Sequence, residues 1–170
     1  SGGSAIVYGL AANREAAVLS AGHAADGAIW IDEKTGSWTT SNYYGEKVRK
    51  WINAYSSTRP RPGKEKTQLN DAVSNASVSC VVNNAMGKDA ITDFLSVTLS
   101  AAGGNTDAWR TDLEAVYRGL DKTLASLITR IEQAVGANRV LFVLTSTGYT
   151  EDPKVDYAKY RIPTGTFYIN

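Results

Sequence analysis

The sequence predicts an α/β protein: a layered sheet with flanking helices, incomplete as it stands, plus a β-hairpin excursion. Three observations predict it. A short apolar run opens the chain at Ala5–Leu10, a long amphipathic helix is written into Asp107–Val135, and strand-like runs stand on both sides of that helix, at Asp93–Ser100 and Val140–Leu144. Strand–helix–strand across 93–144 is a βαβ unit, which implies a parallel pair joined by a right-handed crossover.

In chain order, Ala5–Leu10 reads as the first strand and Ala16–Leu19 as a short second one. His23–Thr40 holds two β-like runs around the turn Asp32-Glu33-Lys34-Thr35-Gly36, a hairpin signal flanked by Trp30, Ile31 and Trp38. Asn42–Tyr55 is helical by the spacing of Tyr44, Val48, Trp51, Ile52 and Tyr55. Residues 56–67 (SSTRPRPGKEKT) read as a linker or a shortened loop. A second helix follows over Gln68–Ala85, with Gly87 suited to the left-handed turn that ends it. In Asp107–Val135 the apolar residues from Trp109 to Val135 recur at three-four spacing over roughly 44 Å of helix. Thr106 or Asp107 would cap its start and Gly136 end it. Val140–Leu144 is unbroken and apolar, as strands buried on both faces are. Thr166–Ile169 is a short β-like end.

The 170 residues suit one domain over 5–170, with residues 1–4 (SGGS) a tag or boundary remnant. An apolar stretch just before Asn170, with no closing helix, leads us to expect that the natural sequence continues. Apolar residues make up 43% and charged residues 21%, an ordinary globular balance, and no run is long enough to cross a membrane. The net charge of +1 gives nucleic acid no global attraction, although Glu46–Lys66 holds seven basic residues against two acidic ones. That stretch reads as a solvated helix face and linker, with a polyanion-binding module as the competing use. Cys80 is the lone cysteine, so no internal disulfide is possible, and its valine neighbours mark it as a small buried hydrophobe.

Three blocks, residues 9–44, 83–107 and 112–148, resemble the alkaline phosphatase superfamily, in particular its type I phosphodiesterase/nucleotide pyrophosphatase-like bacterial branch. The most specific pieces are Ala21-Gly22-His23-Ala24-Ala25, Trp30 with the Asp32–Gly36 turn, and Tyr117-x-x-Leu120-Asp121-x-x-Leu124. The resemblance implies a two-zinc phosphoryl-transfer fold and an extracytoplasmic (periplasmic or secreted) location. It also implies where the chemistry should sit, and there the residues depart from the pattern. The family's metal-binding Asp and His, four apart after the strand matching Leu95–Ser100, fall on Gly103 and Asp107. Its adjacent Asp-His pair after the next strand falls on Thr147 and Gly148, and a phosphate-contacting Lys-x-Arg pair falls on Asn13 and Glu15. The family segment bearing the nucleophile and further ligands has no counterpart in these residues.

The donor chemistry points the same way. Two zinc ions need several carboxylates and imidazoles, and this sequence holds one histidine, His23, which reads as a hydrogen-bonded turn residue. Asp107 reads as a helix cap. Gly104, Asn105 and Thr106 precede a helix and could cradle an anion with backbone N–H groups, but they lack the lysine and spacing of a phosphate loop. Asn75-Ala76-Ser77 matches a glycosylation triplet yet falls mid-helix. The aromatics from Trp30 to Tyr55 read as core and hairpin packing, with an exposed fraction left for a carbohydrate or protein contact. The sequence therefore predicts a catalytically degenerate phosphatase- or phosphodiesterase-like domain. It would hold no cofactor and serve as a binding, scaffolding or regulatory module for an unidentified protein or small molecule. The alternative is a fragment of an active metal-dependent phosphate mono- or diester hydrolase.

Overall fold

The computed structural model describes residues 4–57, 66–101 and 109–146, with the side chains of 66, 67 and 109–113 left aside. Four strands form a mixed sheet in the order β3-β2-β1-β4: β1 (Val7–Ala11), β2 (Gly27–Ile31), β3 (Trp38–Thr40) and β4 (Phe94–Thr98). β1 pairs in parallel with β2 and with β4, whereas β2 and β3 form the expected antiparallel hairpin with Ile31 opposite Trp38. Among the described residues four helices flank it: α1 (Arg14–Ala21), α2 (Gly45–Ser57), α3 (Lys66–Asn83) and α4 (Trp109–Val135).

The period-two alternation of the strands sorts the layers. Tyr8 and Leu10 of β1 and Ile29 and Ile31 of β2 point to one face, where they pack with Val48 and Ile52 of α2, Val73 and Cys80 of α3, and Leu127 and Ile131 of α4. Ala11 and Ala28 point to the other face, against Ala17 and Ala21 of α1. This second face is built from small residues because α1 lies almost on the backbone. A Cβ placed on Gly9 would stand 2.4 Å from the Ala17 carbonyl oxygen and 2.6 Å from the Ala21 Cβ.

Polar clamps fix the frame. Both Asp93 oxygens accept backbone N–H groups, from Ile6 at 2.7 Å and Gly87 at 2.7 Å, which pins the start of β4 to the start of β1. On α4, Thr123 donates to Asp71 and Arg130 donates to Asn75 of α3 at 2.6 Å, so the two helices run parallel with matched polar rungs. Asn75 is thus a helix–helix contact in mid-helix. Cys80 is fully buried, and burial pushes its thiol up to about 12.

Several expectations are corrected. Ala16–Leu19 is helix, within α1: Asn13 caps it, and the alanines, Glu15 and Leu19 are helix formers that a four-residue apolar run concealed. α3 begins at Lys66, inside the expected linker, and ends at Asn83, with Ala85 (φ 53) and Gly87 (φ 68) both turning left-handed beyond it. Val140–Leu144 is not a buried strand. Val140 is extended, but Leu141, Val143 and Leu144 are 87%, 80% and 82% exposed and join no ladder. The expected parallel pair between β4 and this run is accordingly absent among the described residues, and β4 takes its parallel partner from β1. The expected cap at Thr106 or Asp107, the side chain of Trp109, the central part of the 56–67 loop and the end strand Thr166–Ile169 lie outside the described residues.

Candidate functional site

In open parallel sheets, ligands gather beyond the carboxyl ends of the strands. Here β1, β2 and β4 all end on one side, at Ala11, Ile31 and Thr98, so the loops that follow them define the candidate site.

The loop after β1 is the best described. Ala12 accepts the Ile31 N–H at 3.1 Å, holding the ends of β1 and β2 together. Asn13 then accepts the Ala16 N–H on its Oδ1 at 2.8 Å, so its side chain is committed to capping α1. Glu15 receives the Arg14 guanidinium at 3.2 Å, an exposed pair. Its carboxyl is held below the usual range, first by its own backbone N–H and then by Arg14. The first turn of α1 therefore carries a carboxylate, favourable to the helix dipole and paired with the neighbouring Arg14 guanidinium.

The loop after β2 is closed on itself. Asp32 Oδ1 accepts from the N–H groups of Lys34 at 3.1 Å and Thr35 at 2.7 Å and from the Thr35 hydroxyl at 2.9 Å. Those bonds lower its pKa, the Thr35 N–H foremost, and they use the carboxylate to shape the hairpin turn. After β4, Ser100 is gripped by Asn70 of α3: its N–H donates to Asn70 Oδ1 and its carbonyl accepts from Asn70 Nδ2, both at 2.9 Å. Asn70 is buried, and sequence reasoning missed it. The available signal was an amide next to Leu69 on the apolar side of a helix, where Asn is disfavoured unless it has a partner. Its grip fixes the root of the loop carrying Gly103, Gly104, Asn105, Thr106 and Asp107, which themselves lie outside the described residues, as do Thr147 and Gly148.

His23 is elsewhere. It follows α1 and precedes β2, which puts it at the amino-terminal side of the parallel strands, opposite the candidate site. Its carbonyl accepts the Tyr43 hydroxyl at 3.3 Å and its ring meets the Tyr43 ring edge-on at 6.3 Å. Most of the aromatic group is packed as expected, with Trp38 and Tyr55 buried edge to face, while Tyr43 is 66% exposed. In the basic stretch, Arg49 donates to Glu46 and Asn42, so one of its cations is already paired along the helix. Among the described residues no group of three or more His, Cys, Asp or Glu could hold a metal ion, and no helix is long and apolar enough to cross a membrane.

The four positions that the resemblance would assign to metal offer few donors for a pair of zinc ions. Gly103 and Gly148 offer no side-chain donor, Thr147 offers a neutral hydroxyl, and Asp107 is left as the single carboxylate.

Comparison with known proteins finds likenesses at low identity. The chain is 24% identical over 217 residues to the alkaline phosphatase PafA of Elizabethkingia meningoseptica, covering 95% of this chain and 40% of that protein. It is 25% identical over 207 residues to a protein named calcium-transporting ATPase from Myroides odoratus, covering 87% of this chain and 38% of the other. A shorter stretch of 43 residues is 40% identical to the alkaline phosphatase PhoV of Synechococcus elongatus. No family model and no solved structure matches. These low-identity likenesses support a phosphatase-related α/β domain of the alkaline phosphatase superfamily, and the four-stranded sheet with flanking helices is consistent with part of such a fold. The chain spans about 40% of the length of the relatives it matches over most of its own length.

Proposed function

We propose that this chain is a catalytically degenerate phosphatase-related domain that works by binding: a scaffolding or regulatory module for a protein or small molecule, of the nucleotide pyrophosphatase-like branch and extracytoplasmic. One observation carries the reading. The described loop lacks the paired cations of a phosphate seat, with Asn13 spent on a helix cap and Glu15 pairing with Arg14 where the resemblance calls for Lys-x-Arg. The remaining matched positions, Gly103, Asp107, Thr147 and Gly148, contribute one carboxylate and no imidazole. The branch and the location rest on the resemblance alone.

A second reading, a portion of an active hydrolase, has the share of the relatives' length in its favour, since the other 60% could supply ligands. The test is hydrolysis of p-nitrophenyl phosphate and bis-p-nitrophenyl phosphate by the purified chain with excess zinc. The proposal expects no release above background. Metal-dependent turnover that Glu15→Lys increases would overturn it.

A further inference from the structure

We draw no further inference here: the strongest candidate, the aromatic surface patch of His23, Tyr43 and Tyr44 at the amino-terminal side of the parallel strands, carries nothing because nothing in the structure shows what covers it.

Discussion

Gly9→Val tests the layered packing at its tightest point. Ordinary van der Waals contact at a Cβ is 3.4–4 Å, but the added atom would stand 2.4 Å from the Ala17 carbonyl oxygen and 2.6 Å from the Ala21 Cβ. The nearer neighbour is backbone, which cannot swing aside, so α1 must withdraw from the sheet by about 1 Å, and Ala11, Ala17, Ala21 and Ala28 lose contact together. Overpacking of this kind costs about 3 kcal/mol, at the upper end of its usual range. For a chain of 170 residues that lowers the thermal midpoint by roughly 6–12 °C. Circular dichroism melts, with urea titrations for the free energy, give both numbers. Leu19→Ala is the control, since Leu19 lies on the outer face of α1, 80% exposed, and should shift stability by less than about 0.5 kcal/mol. An unchanged midpoint for Gly9→Val, or an equal loss for Leu19→Ala, would refute the placement of α1.

Asp93→Ala strands the Ile6 and Gly87 N–H groups and should cost about 3 kcal/mol in a urea titration; a loss below about 1 kcal/mol would show that solvent replaces the carboxylate. Asn70→Ala should cost about 2 kcal/mol and speed amide exchange at Ser100, whereas unchanged exchange there would deny the grip. The Cys80 thiol should resist thiol reagents at neutral to mildly alkaline pH until the chain unfolds. Burial raises Cys80 and Tyr8 to about 12 each, above their unfolded values, so both favour folding while protonated. Their contribution is complete below pH 9, the ordinary thiol value, and is lost as pH rises toward 12; a flat stability profile from pH 8 to 12 would contradict this.

The sequence was readable where a pattern repeats. The three-four stripe of α4, the spacing in α2 and the turn between β2 and β3 each announce their element through local residues. α1 was not, because eight residues are too few to set a helical period and Ala16–Leu19 alone is an unbroken apolar run that suits a short strand as well. Val140–Leu144 misled for a different reason: apolar composition marks a strand-like run, but not whether the described sheet takes it up. The carboxyl-end location of the candidate site followed from the order of strands and helices. Asn13 and Glu15 were singled out through the resemblance, and the structure shows a helix cap at the one and an ion pair with Arg14 at the other. Asn70 and Asp93 stayed hidden since their partners are 30 and 87 positions away, and no local signal encodes such distances.

The central claim is that the phosphatase-type metal centre is lost from this chain. Zinc content answers it most directly: the purified protein is equilibrated with excess zinc, desalted, and its metal counted by mass spectrometry. The account predicts no retained zinc, and none gained by Thr147→Asp/Gly148→His, because the partner positions Gly103 and Asp107 do not supply the Asp and His that the resemblance calls for. About two zinc ions per wild-type chain, the complement of a two-metal hydrolase, would contradict it.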